Sequence, residues 1–356
     1  MVRFLKEIKL RILLITSRAD IGGGPKHLLD LALEIKQDNP SSFLAIASPD
    51  QDPYGPLFRK NSDFFIDIPI RKFSPWTFLS LLIFCKTREI EVIHSHGRGA
   101  GIYSRLLSLF SFKVFHTFHG IQLKESFSNK LKNFIEKLLS YLNCYLIFVS
   151  DSEMENALLL NYSTGENYKV IENGIDLQDL DIEIKLKKSS QKVNICILSR
   201  FDPHKNIKRS IELFNLAQQE NPSLRLNIGG YGREETPLKQ LVENLGLTHK
   251  VKFLGKINKP EEFLKEQHIY LSTSLGEGLP YTVLEAIKVG LIPFLSNVSG
   301  HKDIVSKEYL FNPFNEHEFC TGLNMILNKS HFQLKESLTI RFDLNVQIKK
   351  VIAVYT

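Results

Sequence analysis

Two stretches of this 356-residue chain combine residue types suited to a phosphorylated, polyhydroxylated substrate. The first is STSLGEGLPYTVLEAIKVG, Ser272 to Gly290, with Glu277 ahead of an expected helix and Glu285 within it. Pro280 fits that helix's first turn, and Gly278 allows close backbone approach. Unpaired amides of a first turn can hold an anion such as a phosphate. Glu285 can accept hydrogen bonds from a vicinal diol such as a ribose, and Glu277 from another polyol. The second stretch is ILSRFDPHKNIKRSIELF, Ile197 to Phe214. Arg200 closes an apolar strand and Lys205 stands in the following loop. A planar fork beside a point charge suits a diphosphate. Each stretch has a plainer reading: a solvated helix start with two surface glutamates, and an exposed basic loop.

Four histidines sit at strand ends. His94 and His96 form an H-x-H, for which a metal site lacks a third ligand at a set spacing. The competing reading is a pair of strand-end polar residues. His116 and His119 close another strand, where a lone histidine is usually structural. Asp179 and Asp181 form an aspartate pair of a kind that can hold a divalent cation, but they fall in an expected linker, where solvated acids are the plainer reading. No Walker A loop or complete dinucleotide fingerprint occurs, since GGYG lacks the last glycine.

These residues need elements to position them. RILLITS is a near-continuous apolar run, the mark of a strand covered on both faces. The loop ADIGGG follows, then a helix with Leu28, Leu31, Ala32 and Ile35 on one face. FLAIAS, VIHSH, VFHTF, YLIFVS and KVIEN extend the alternation. After a polar segment, Leu177 to Lys192, read as a linker, the alternation restarts from NICILSR to IPFLS. The pattern is α/β: two parallel sheets with helices on both faces. The expected domains are 1–180 and 190–335, followed by a last segment, 336–356. Ligands in such folds bind at strand carboxyl ends, so two such domains would face each other across a cleft.

Composition narrows the classes. Of the residues, 43% are hydrophobic and 24% charged, an ordinary globular balance that argues against disorder and collagen. The four cysteines show no C-x-x-C spacing, so a zinc ribbon and a disulfide framework are not expected. The longest apolar stretches fall short of the roughly 20 residues that span a bilayer. The N-terminus does not read as a secretory signal. A cytoplasmic location is expected. The net charge of +6 is spread over both halves, unlike a nucleic-acid surface. Arg98 to Lys137 carries seven basic residues against two glutamates, with Phe127, Leu131, Phe134, Ile135 and Leu138 at helical spacing. Such a helix can lie on an anionic leaflet, or pack on a core with its cations solvated.

The motifs together resemble a family 4 glycosyltransferase of the GT-B architecture. The resemblance rests on GGGPKHLLDLA, VIHSHGRGAG, HTFHG, SDSEMENAL, VIENGID, LSRFDPHKN, IGGYGRE, VKFLGKI, EGLPYTVLEA and the closing RFDLNVQIKKVIAVY, in that order. It implies a retaining, nucleotide-sugar-dependent enzyme with two Rossmann-like domains, and a last helix, 336–356, returning to the first. By that resemblance Arg200 and Lys205 hold the donor diphosphate, and Glu285 binds the ribose. Glu277 binds the donor sugar, with Gly278, Leu279 and Pro280 nearby. Lys256 and Ile257 lie against the base, and Gly232 is among the donor-binding residues. His119 reaches the reacting sugar, and Gly22 and Gly23 line the donor or acceptor side. No cofactor or bound metal is implied, because the cations replace one. The donor would be UDP- or GDP-linked. The acceptor would be a surface polysaccharide, lipopolysaccharide or lipid-linked glycan, reached at the inner face of the cytoplasmic membrane. The sequence departs from the family at Tyr231 and Arg233 in the glycine turn and at Asp303. A nucleotide-sugar epimerase of the same fold, and a non-catalytic nucleotide-sugar-binding subunit, remain alternatives.

Overall fold

The computed structural model describes residues 10–121, 127–163, 165–177, 192–328 and 340–355. The chain forms two compact units, Met1–Gly174 with Leu344–Thr356, and Ile175–Asp343. In the first, the order is β1 (Arg11–Thr16), α1 (Gly23–Asp38), β2 (Phe43–Ser48), α2 (Tyr54–Lys60), β3 (Phe64–Asp67), α3 (Pro75–Thr87) and β4 (Val92–His96). It continues with α4 (Arg98–Leu107), β5 (Lys113–Thr117), α5 (Phe127–Leu139), β6 (Tyr145–Phe148), α6 (Asp151–Leu159) and β7 (Tyr168–Val170). The second unit runs β8 (Val193–Leu198), α7 (Ile207–Glu220), β9 (Leu224–Gly229), α8 (Glu235–Asn244), β10 (Val251–Gly255), α9 (Pro260–Lys265) and β11 (Ile269–Ser272). Then come α10 (Tyr281–Lys288), β12 (Ile292–Ser296), β13 (Leu310–Phe311) and α11 (Glu316–Asn328). The last helix, α12 (Leu344–Ala353), belongs to the first unit.

The α/β expectation holds. Both sheets are parallel, with strand orders β3-β2-β1-β4-β5-β6-β7 and β10-β9-β8-β11-β12-β13. In each, the order reverses beside the first strand, at β1/β4 and at β8/β11. Strand alternation explains why β1 reads as one apolar run. Leu13 and Ile15 enter one core with Tyr103, Phe118 and Phe148, while Ile12 and Leu14 enter the other with Leu28, Leu31 and Ile35. Each such leucine or isoleucine contributes about 2 kcal/mol on burial. The C-terminal Ile348, Val351 and Tyr355 complete the second of these cores.

β3 and β13 were not among the expected strands. β3 is a sheet edge whose FFID is only partly covered, so neither alternation nor a buried run marks it. β13 is two residues long, too short for any periodicity. The expected linker, with Asp179 and Asp181, lies mostly outside the described residues. Among the described residues, no helix is long and apolar enough to cross a membrane.

Candidate active site

In the second unit the two singled-out stretches meet at the switch point. β8 delivers Arg200 and β11 delivers Glu277, each just beyond its strand's carboxyl end. Lys205 ends a short turn, Pro203–Lys205, and Asn206 then takes a left-handed conformation (φ 53°) that starts α7. The two loops are laced together. Asn206 Nδ2 donates to the Thr273 carbonyl at 3.2 Å, and Thr273 Oγ1 donates to the Asn206 carbonyl at 2.8 Å. Leu275 N donates to the His204 carbonyl at 3.0 Å, and the His204 ring bonds the Gly276 carbonyl. The result is an ion pair across 72 residues of sequence, Lys205 Nζ to Glu277 Oε1 at 2.6 Å.

Glu277 is electrostatically fixed. Burial pushes its carboxyl up, but Lys205, with His301 and His204 nearby, outweighs this and takes it down to about 2. The group is therefore a carboxylate at any working pH. Glu277 N donates to the Ser299 carbonyl at 3.0 Å. Gly300 packs beneath it at φ 80°, where a Cβ would lie 2.5 Å from the Gly278 oxygen. Arg200 pairs with Asp202 at 3.1 Å, both side chains about one-third exposed or less. Both cations thus already face carboxylates, and an incoming diphosphate would compete with these for them.

Glu285 lies on α10, one face of which carries the buried Val283, Leu284 and Ile287. Tyr270 of β11 stands near both glutamates and spans β8 and α10. Its hydroxyl approaches the Leu198 carbonyl at 3.1 Å and Thr282 Oγ1 at 2.9 Å. Pro280 caps α10 from just outside instead of standing in its first turn as expected, and it brings no N–H of its own. Gly232 lies in a turn closed by Phe201 N donating to the Tyr231 carbonyl at 2.9 Å. A Cβ at Gly230, φ 134°, would sit 1.8 Å from the Ser199 oxygen, so this turn holds the Arg200 loop in place. Lys256 is exposed, and the Ile257 side chain covers Gly229.

In the first unit, Gly22, Gly23 and His119 lie beyond the ends of β1 and β5. Gly24 is in contact with His119, its Cβ position 3.2 Å from the ring. Gly120 and Ile121, directly after His119, are held from α6. Ser150 and Glu153 make a capping pair, Glu153 N donating to Ser150 Oγ at 3.1 Å. The Glu153 carboxylate instead reaches outward, accepting from Val149 N at 2.9 Å and Gly120 N at 2.5 Å. Burial raises it to about 7 against those bonds.

Strand-end polarity is not what holds the other histidines. His94 is fully enclosed, with Tyr355 Oη and Thr117 Oγ1 at 2.6 and 2.7 Å from its two nitrogens. His116 is likewise buried, its Nδ1 2.8 Å from Ser95 Oγ. Sequence reasoning missed His27, which sits among Leu28, Leu31 and Ala32 on α1 and reads as core, and His301, buried beside Glu277.

Burial holds His27 down to about 4 and pushes His94, His96, His116 and His119 well below their ordinary value. Below pH 6.5 the unfolded chain takes up these protons first, so stability falls as the pH drops toward the folded values. For His27 alone the loss is on the order of 3 kcal/mol. Protonation of Glu153, and of Asp30 and Glu34, which burial also raises, acts in the opposite direction, against five buried histidines. Amide exchange in the first unit should therefore accelerate between neutral pH and about pH 5 once intrinsic rates are removed. Unchanged protection would contradict neutral burial of the cluster.

The basic segment is narrower than its sequence suggests. Arg105 is buried and paired with Glu136 at 2.6 Å, so it is no surface cation. Lys124, and the side chains of Phe127 and Lys130, lie outside the described residues. What remains on α5 is the exposed Leu131, Phe134 and Leu138 with Lys132 and Lys137 exposed beside them, while Arg98 and Lys113 lie on other elements. On α3, Trp76, Leu79 and Ile83 form a second exposed apolar stripe, with Trp76 80% accessible.

Two family models match the chain: "Glycosyltransferase Family 4" over residues 21–179 and "Glycosyl transferases group 1" over residues 179–339. Among curated relatives, the Staphylococcus aureus capsular polysaccharide biosynthesis glycosyltransferase CapH is 24% identical, covering 81% of this chain and 82% of its own. An Escherichia coli UDP-Gal:alpha-D-GlcNAc-diphosphoundecaprenol alpha-1,3-galactosyltransferase is also 24% identical, over 65% of this chain and 64% of its own. The crystal structure of Anabaena HepE with UDP and glucose superposes with a TM-score of 0.80 at 18% identity, covering 97% and 99% of the two chains. The folds therefore correspond, and both units are the Rossmann-like domains of GT-B glycosyltransferases.

Proposed function

Because the chain belongs to the family 4 glycosyltransferases, we propose that it transfers a sugar, with retention, from a nucleoside diphosphate-sugar to a glycan hydroxyl. The observation that carries this reading is the Lys205–Glu277 pair at the β8/β11 switch point, with Arg200 beside it. As the glycosidic bond breaks, negative charge develops on the departing diphosphate. Lys205 and Arg200 stabilise that charge where it forms, without a divalent metal. Glu277, kept ionised, accepts hydrogen bonds from the donated sugar, and Glu285 accepts them from the ribose. His119 acts on the donated sugar from the first unit. The names of the relatives point to a surface polysaccharide or lipid-linked glycan as acceptor.

A thermal-shift panel of UDP, GDP, ADP and CMP tests the donor site, because a ligand bound only by the folded state raises its melting temperature. UDP or GDP should raise it and CMP should not. No shift with any diphosphate at millimolar concentration would contradict the assignment.

We further propose that α5 rests on the anionic cytoplasmic leaflet, its exposed apolar stripe flanked by lysines. Sedimentation with vesicles containing about one-third anionic lipid should pellet the protein at low salt and not at high salt. Leu131→Ser with Phe134→Ser should abolish it. Pelleting unaffected by these substitutions would move the contact elsewhere.

A further inference from the structure

The geometry points to a second site in the first unit: His27, His96 and His119 form a three-imidazole cradle for a zinc-class divalent cation. The three come from separate elements, His27 from α1, His96 from the end of β4 and His119 from beyond β5, at the β1/β4 switch point. Their ring centroids form a nearly equilateral triangle with sides of 5.2, 5.3 and 5.5 Å. One nitrogen from each ring lies within 4.8 Å of the other two.

Two details separate this triangle from ordinary histidine packing. The first is hydrogen bonding. Both nitrogens of His94 have oxygen partners, whereas buried His27 Nδ1 has none among the described residues. Leaving a buried polar atom unpaired costs about 1–3 kcal/mol. The second is spacing. His96 Nδ1 and His119 Nε2 are 3.2 Å apart. Two nitrogens on a tetrahedral ion at about 2.0–2.1 Å are about 3.3–3.4 Å apart. The His27 ligand atom lies within 4.8 Å of the other two, so a bound cation would draw this third ring inward.

Imidazole ligands without carboxylates favour zinc, nickel, copper or cobalt over magnesium or calcium. His27 and His96 are 2% exposed, while His119 is partly exposed. The nearby cations Arg18 and Lys26 are paired with Asp20 at 2.7 Å and Asp30 at 3.2 Å. Zinc held here occupies His119. Resting on the role proposed above for His119, metal occupancy switches transfer off rather than supporting it.

The test is zinc competition against a chromophoric chelator with the full chain, alongside cobalt(II) absorption. One equivalent should bind, with the intense visible bands of four-coordinate cobalt. His27→Gln and His96→Gln should each weaken binding at least tenfold, and His317→Gln, exposed in the second unit, should not change it. Equal zinc affinity in wild type and His27→Gln would overturn the site. If the variants fail to fold, wild-type cobalt decides: weak, six-coordinate spectra overturn it and tetrahedral bands uphold it. Transfer is measured separately with and without zinc. Bound zinc with undiminished transfer leaves the site standing and overturns the inhibitory role. Loss of transfer without stoichiometric binding overturns both.

Discussion

Lys205→Ala should lower kcat/KM by on the order of 10²–10³-fold, the largest loss expected of any single substitution in the second unit. Lys205 has two tasks. It neutralises the departing diphosphate, and it keeps Glu277 ionised at 2.6 Å. Removing it leaves a buried carboxylate without its principal counter-charge, and Glu277 then rises from about 2. The sign follows directly. The pair contributes stability above the unfolded carboxylate's pKa, about 4.3, and loses it as pH falls toward the folded value. Because the Lys205 side chain keeps 22% of its exposure, the cost to folding is on the order of 2 kcal/mol, well below that of a fully buried pair. The double variant Lys205→Ala with Glu277→Gln should recover most of this stability and none of the transfer. Arg200→Ala should behave differently. Its partner Asp202 is 32% exposed, so stability should hardly change while transfer falls. Steady-state kinetics with urea midpoints on the three variants separate these outcomes. Recovery of transfer in the double variant would contradict a direct role for Lys205 at the diphosphate.

His119→Ala should reduce kcat about 100-fold while leaving UDP affinity within about threefold. The expected split arises because the imidazole and the diphosphate ligands lie in different units, so only the former is removed. The ring is held by its neighbours rather than by chance. It stacks on His96 with centroids 5.5 Å apart, and the next residue's amide, Gly120 N, donates to Glu153 at 2.5 Å. A loss appearing wholly as weaker UDP binding would place His119 outside the transfer step.

Much of this fold is written in local pattern, and much of the site is not. β1, β4 and β8 are buried on both faces, so their apolar runs stand out in sequence. α1 shows its spacing because Leu28, Leu31, Ala32 and Ile35 meet one core. Arg200, Lys205 and Glu277 could be singled out by type and place in strand-to-helix loops. Their contact could not, because the turn at Asn206 and the bonds to Thr273 that create it join residues 67 apart in sequence. His27 shows the same limit from another side. On a helix face beside leucines it looks like core, and it becomes part of a cluster only when β4 and β5 bring His96 and His119 alongside. Arg105 errs in the other direction: a cation in a basic segment reads as surface, yet Glu136 on α5 takes it inside.

The central claim is retaining transfer from a nucleoside diphosphate-sugar. The most direct test is proton NMR of the reaction with the diphosphate-sugar whose nucleotide raises the melting temperature, in the presence and absence of a lipid-linked sugar acceptor. With acceptor, free nucleoside diphosphate should accumulate with a new glycoside whose anomeric configuration matches that of the donor. A product of inverted configuration, or a donor sugar isomerised without acceptor and never transferred, would contradict the account.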